Sequence, residues 1–268
     1  MEYLTEEVLK TKPRKPSAHK GDYGKVLIIA GSKDYSGAAV MTATACEAVL
    51  RSGADLSVVC CPEQMGWLIN NKLPEAITIK LGGDRLQNKH LNRVKEEISS
   101  ADVLLIGPGL SKESQSFAKK TIHEAKSLPK VIDAGAIRAV DLRNINNSIF
   151  TPHEQELKKL LVNSDIQKDE LQNFLSNNIV LKKEEIDKII SSDRIKHNKT
   201  GNPVMTKGGT GDVLAGLIAG FVAQGYGLFR SACMGAYLNG AVGDYLNQEF
   251  GRTFTATDIV KNLDKIYK

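Results

Sequence analysis

The run Gly201-Asn202-Pro203-Val204-Met205-Thr206-Lys207-Gly208-Gly209-Thr210-Gly211-Asp212-Val213-Leu214-Ala215-Gly216 combines bare backbone with a single carboxylate. Gly208, Gly209 and Gly211 leave N–H groups uncovered by side chains, and Asp212 follows at once. The small, apolar segment from Val213 to Ala223 then reads as a helix. Orphan donors converge at a helix N-terminus, which makes it an anion site. A carboxylate inside such a site would repel a bound phosphate unless it had a task. The task that fits is taking a proton from a hydroxyl that attacks or accepts a phosphoryl group. The plainer alternative is a helix capped by Thr210 or Asp212, with glycines that serve only the turn.

The elements that must position this loop alternate along the chain. Residues 25–30, 55–60, 76–80, 102–106, 130–132, 148–150 and 178–181 are short apolar runs rich in β-branched residues, and read as buried strands. Helical patterns lie between them, near residues 37–51, 88–99, 112–127, 152–161 and 168–177. After Asp212 the chain turns mainly helical, over 212–224, 229–247 and 257–267. Such alternation predicts a parallel sheet covered on both faces, in one α/β domain spanning residues 1–268. Residues 1–20 read as an N-terminal helix and lead-in segment. In such a sheet, ligands sit past the carboxyl ends of the strands. Gly31-Ser32, Gly107-Pro108-Gly109, Asp133-Ala134-Gly135 and Thr151-Pro152-His153 all fall there. No GxxxxGK[ST] is present and no GxGxxG follows the first strand, which disfavours a P-loop or dinucleotide-binding enzyme.

Composition narrows the classes further. The chain has 268 residues, 41% hydrophobic and 25% charged, enough for an ample core. A net charge of +5, spread along the chain without a recognition motif, argues against nucleic-acid binding. No apolar span approaches membrane length and the N-terminus lacks the order of a signal peptide, so the expected location is the cytoplasm. Cys46, Cys60, Cys61 and Cys233 form no CxxC pair and read as buried reduced thiols, with no protein metal site implied. His19, His90, His123 and His197 have no partner identifiable from sequence and read as surface residues.

Taken together, His19-Lys20-Gly21, Gly24-Lys25-Val26, Ala30-Gly31-Ser32, Tyr35-Ser36-Gly37-Ala38, Gly107-Pro108-Gly109-Leu110, Thr151-Pro152-His153 and Gly208-Gly209-Thr210-Gly211-Asp212 resemble the nicotinamide-nucleotide hydrate dehydratases. These are ADP- or ATP-dependent repair enzymes of the ribokinase-like superfamily. The resemblance runs from about residue 15 to the C-terminus and leaves no room for the epimerase domain fused to many members. It implies a three-layer ribokinase-like α/β fold with a mostly parallel central sheet. It implies nucleotide-dependent dehydration of the S epimer of NADH hydrate or NADPH hydrate, a lyase activity that phosphorylates the added hydroxyl and then eliminates phosphate.

By motif position, the resemblance makes Asp212 the general base, in contact with substrate. Gly208, Gly209, Thr210 and Gly211 become the anion hole, and Lys182 a nucleotide contact. Ala39, Gly109 and His153 line the substrate cleft. Magnesium, a homo-oligomer such as a tetramer, and functional coupling to a separate epimerase are further implications. Three places depart from the family pattern: Gly135 replaces the second Asp of Asp-Ala-Asp, Glu154-Gln155-Glu156 replaces Pro-Gly-Glu, and Lys183 replaces the Gly of Lys-Gly. Two alternatives stay open: another kinase of the superfamily acting on a vitamin-precursor alcohol, and a nucleotide-binding member without turnover. The choice between ADP and ATP, and between the two hydrates, is not readable from these residues.

Overall fold

The computed structural model describes the chain except Lys12 and Tyr35, and except the side chains of Ser36, Ala38, Ala39 and Val40. Nine strands form one sheet in the order β3-β2-β1-β4-β5-β6-β7-β8-β9. In chain order they are β1 (Lys25–Ile29), β2 (Leu56–Pro62), β3 (Ile77–Leu81), β4 (Val103–Ile106), β5 (Lys130–Ile132), β6 (Ser148–Phe150), β7 (Ile179–Lys182), β8 (Asp187–Ile190) and β9 (Ile195–Asn198). Every pairing from β3 across to β7 is parallel, and the β7–β8 and β8–β9 pairs are antiparallel. The seven apolar runs each became a strand. The β8–β9 hairpin went unread because its strands are short and charged (Asp187-Lys188, Lys196-His197) and close the sheet's edge.

The strands are apolar on both sides because both sides are covered. Val26 and Ile28 point into a core shared with helices α1 (Ser36–Arg51), α6 (Thr210–Ala223) and α7 (Leu228–Phe250). Leu27 and Ile29 point the other way, toward α3 (Leu91–Ile98), α4 (Gln115–Glu124) and α5 (Glu154–Ser164). All four strand side chains are fully buried, each contributing about 1.5–3 kcal/mol. Helix α6 has no polar face beyond its first turn, since Val213 through Val222 are all buried. Its outer side is sealed by α7 and by α8 (Ala256–Lys261). The sequence reading missed helix α2 (Glu63–Lys72), which buries only Met65, Gly66 and Ile69. Residues 168–174 form a 3₁₀ helix in place of the expected α-helix.

Register decides where the loops meet. Ile29 pairs with Ile106, Ile106 with Ile132, and Ile132 with Phe150. The four strands therefore end level, and the chain leaves them through Gly31, Gly107, Asp133 and Thr151 in one row. Strand order reverses beside β1, between β1 and β4, and there the Gly31 N–H donates to the Pro108 carbonyl at 2.9 Å. The N-terminal residues pack along the far edge: a bridge joins Tyr3 to His197, and a 3₁₀ turn covers Glu6–Leu9. The basic stretch after Lys10 is mostly exposed.

One expectation about a single residue changes, and the reading of the cysteines as buried thiols holds. His90 is buried: its ring accepts the Gln87 N–H at 3.1 Å and lies 2.9 Å from the Gly82 carbonyl oxygen. A local capping box, not a surface position, explains it. The four cysteines are free and buried, and burial holds each thiol up to about 12.

Candidate active site

Helix α6 begins at the glycine loop, with Gly209 as its N-cap residue in the left-handed region at φ 95°. No side chain caps it. The Thr210 hydroxyl donates instead to the carbonyls of Met205 (2.8 Å) and Lys207 (3.0 Å), which ties the loop to itself. The capping alternative fails for Thr210, and the first-turn amides are left for something else. A Cβ on Gly209 would collide with Met41 Sδ and come within 2.9 Å of the Ala256 Cβ. Both the positive φ and the crowding demand glycine there.

The loop is held from behind by groups far away in sequence. The Lys207 ammonium donates to the carbonyls of Arg252 and Phe254, 2.6 Å each. Asp244 on α7 accepts from the Gly201 N–H and from the Asn202 side-chain amide. The Asn202 oxygen in turn accepts the Val204 N–H at 3.1 Å. Asp244 carried no signal in the sequence, because its partners lie across a helix-to-loop contact that no local pattern encodes.

Facing the first turn of α6 are the ends of β5, β6 and β7. Asp133 is buried, and its Oδ1 accepts from the Thr151 hydroxyl at 2.6 Å and from the Lys183 ammonium at 3.3 Å. The Lys183 backbone N–H donates to the Pro152 carbonyl at 3.0 Å, and Lys183 bridges to His153. Its Nζ lies 3.7 Å from where a Cβ on Gly211 would stand. Asp212, half-buried in the same place, is pushed up to about 7. Loss of water by burial is the largest cause, the Asp133 carboxylate adds to it, and Lys183 opposes it. A carboxylate poised near neutrality is what a general base needs. A cavity of about 750 Å³ opens beside the loop, lined by Lys183, Lys199, Asn202, Thr210, Gly211 and Asn239 among others.

The other expected site residues fall as follows. Gly109 sits at φ 63° in the turn after β4, at the reversal of strand order. His153 caps α5: its Nδ1 accepts the N–H groups of Gln155 and Glu156, and its Nε2 lies 3.5 Å from a Glu156 oxygen. That arrangement puts the ring proton on Nε2, on a side chain 52% exposed. The Lys182 ammonium is buried and engaged by Glu154 at 2.7 Å and Glu184 at 2.5 Å. Those carboxylates outweigh the burial that would otherwise depress it. Ala39 lies in the first turn of α1 with its side chain outside the described residues.

Residues 26–265 match the family model of the NAD(P)H-hydrate dehydratases. The chain belongs to that family. It is 34% identical to the ADP-dependent (S)-NAD(P)H-hydrate dehydratase of Lactococcus lactis, over 84% of this chain and 82% of that protein. It is 36% identical to a bifunctional NAD(P)H-hydrate repair enzyme of Methanothermobacter thermautotrophicus, over 97% of this chain and 53% of that one. The chain thus spans about half the length of the bifunctional relatives it matches. Among solved structures it is similar to the ADP/ATP-dependent NAD(P)H-hydrate dehydratase of Bacillus subtilis co-crystallised with ATP and Mg²⁺. That match has 25% identity, a TM-score of 0.80, and 99% and 97% coverage of the two chains. The layered α/β fold expected from the sequence is thereby borne out.

Two departures from the dehydratase pattern now have a physical account. A Cβ on Gly135 would stand 2.6 Å from the Leu110 carbonyl oxygen, so the turn after β5 has no room for a second aspartate. Lys183 sends its side chain to the remaining aspartate, Asp133, instead of opening the backbone there. Gln155 contributes its N–H to the cap made by His153.

Proposed function

We propose that this chain dehydrates the S epimer of NADH hydrate and NADPH hydrate, with ADP or ATP as phosphoryl donor. The observation that carries the reading is the uncapped first turn of α6 with Asp212 beside it, raised to about 7 and facing Asp133 and Lys183. The added hydroxyl of the hydrate would attack the terminal phosphorus. An O–P bond forms, the bridging O–P bond breaks, and its electron pair leaves with AMP or ADP. The hydroxyl proton passes to Asp212, a role worth about 10²–10⁴ in rate. The amides of Gly209, Thr210 and Gly211 hold the phosphoryl oxygens as charge develops, each such donor worth about 3 kcal/mol. Phosphate then departs with the C–O pair, pushed by the ring nitrogen, and loss of a proton from the neighbouring carbon restores the ring double bond.

Gly109 and His153 are assigned to the substrate side, with Ala39 beside them, and the cavity next to Gly211 to the nucleotide. Lys182, expected as a nucleotide contact, is held by Glu154 and by Glu184, and Glu184 lines that cavity. Among the described residues no group of three or more His, Cys, Asp or Glu could hold a metal ion. The donors present fit a magnesium ion carried on the nucleotide's phosphates, with Asp133 or Asp212 as the nearest carboxylates. Bound there, it would neutralise charge on the transferring group. No helix is long and apolar enough to cross a membrane among the described residues. A cytoplasmic location, a homo-oligomer and functional coupling to an epimerase complete the reading.

The test is incubation with NADH hydrate and Mg²⁺, with ADP and ATP in separate reactions, following near-UV absorbance of reduced nicotinamide. A nucleotide-dependent rise with release of inorganic phosphate is expected. A stable phosphate ester would move the activity to another kinase of the superfamily, and binding without turnover would end the enzymatic reading.

A further inference from the structure

Four lysines stand near the glycine loop, and three are committed elsewhere. Lys182 is bound by two carboxylates, Lys207 by two carbonyls, and Lys199 is exposed and lies against the Tyr3 ring. Lys183 differs. Its side chain is only 26% exposed, yet among the described residues its ammonium has one hydrogen-bond acceptor, Asp133 Oδ1. That contact, at 3.3 Å, is longer than the 2.7–2.9 Å usual for a charge-assisted bond. An ammonium carries three donors. Two are unspent, on a group that lines the cavity and sits beside Gly211.

We propose that Lys183 is a catalytic residue of this chain: its ammonium, held loosely on Asp133, binds the transferring phosphoryl group together with the Gly209–Gly211 amides. The inference rests on the function proposed above and names a residue that the shared pattern, with glycine at this position, does not supply. The carboxylates of Asp133, Glu156 and Asp212 surround the ammonium, with Asp133 Oδ1 3.3 Å away. A fixed cation is therefore present in the loop site before nucleotide arrives. During transfer it offsets charge on the phosphoryl oxygens while the hydroxyl proton goes to Asp212. Afterwards it returns to Asp133, releasing phosphate.

The experiment is calorimetric titration of the full chain with AMP, ADP and ATP, in buffer with a chelator and no Mg²⁺. Wild type, Lys183→Met and Lys183→Arg are compared. Lys183→Met should lose about 10- to 100-fold in affinity for the nucleotide that serves as donor, the size of one charge-assisted hydrogen bond. AMP, which lacks a transferable phosphoryl group, should change less than about twofold by the same reasoning. Lys183→Arg should restore most of the donor's affinity. An equal loss for all three nucleotides, or no loss for any, overturns the proposal and leaves Lys183 as a partner of Asp133 alone. Should Lys183→Met fold poorly, the Asp133→Asn/Lys183→Met pair, measured against Asp133→Asn, removes both charges and gives the same comparison. Failure of the underlying function would look different: wild type would restore no reduced nicotinamide from the hydrate with either nucleotide.

Discussion

Asp244, on helix α7, accepts hydrogen bonds from both the backbone of Gly201 and the side chain of Asn202, each 2.9 Å long. One carboxylate thus fixes the start of the loop whose end carries Asp212. Asp244→Ala should cost about 1.5–3 kcal/mol of stability, the range for hydrogen bonds to a charged group. It should also raise the KM for nucleotide more than it lowers kcat, because the loop is loosened and not chemically changed. Urea denaturation and steady-state kinetics on one preparation check both expectations.

Asp212 yields a linked pair of outcomes. As a base it must be ionised, so kcat/KM, which reports the free enzyme, should rise with pH through about 7 and level off above it. Asp212→Asn should lose about 10²–10⁴ in kcat while nucleotide binding stays largely intact. Stability should move in the opposite sense. A carboxyl whose folded-state pKa is raised favours the folded state when protonated and loses that advantage as pH rises through about 7. Asp212→Asn should therefore melt at a higher temperature than wild type at pH 8, and at nearly the same temperature at pH 3. Melting curves across that range decide it.

Gly209→Ala tests the loop's backbone. A φ of 95° costs a residue with a Cβ about 1–2 kcal/mol, before the contacts with Met41 and Ala256 are counted. The variant should be destabilised by at least that amount and should lose turnover as the first-turn amides tilt. Near-normal activity would show that those amides are not aimed at a transferring group.

Gly135→Asp restores the residue usual for the family, and it should not restore anything here. The new Cβ would press on the Leu110 carbonyl oxygen, and overpacking of this kind costs about 1–3 kcal/mol. A lowered melting temperature with no gain in Mg²⁺-dependent turnover is expected. A gain in turnover at unchanged stability would mean that the turn after β5 adapts.

Much of the architecture was legible because it is written in short-range patterns. Short, largely apolar runs of three to six residues mark strands covered on both faces, and all seven such runs became the parallel strands β1 to β7. The glycine loop and Asp212 were visible as a helix start with bare donors. Strand β8, strand β9 and helix α2 were not, since each sits at the sheet's margin and carries too few apolar residues to declare itself. The buried capping role of His90 was equally silent.

By itself, then, the sequence determined the layered α/β class, the loop that can hold a phosphoryl group and the carboxylate beside it, all of which depend on neighbours within a few residues. Only the tertiary structure decided what surrounds that carboxylate. Lys183 reaches Asp133 across 50 positions of chain, and Asp244 reaches Asn202 across 42. These pairings follow from strand order and register, which set β5, β6 and β7 side by side and level at their ends. Burial at that junction, with Asp133 close by, is what lifts Asp212 to about 7, and burial is a property of the packed molecule that no stretch of sequence possesses alone.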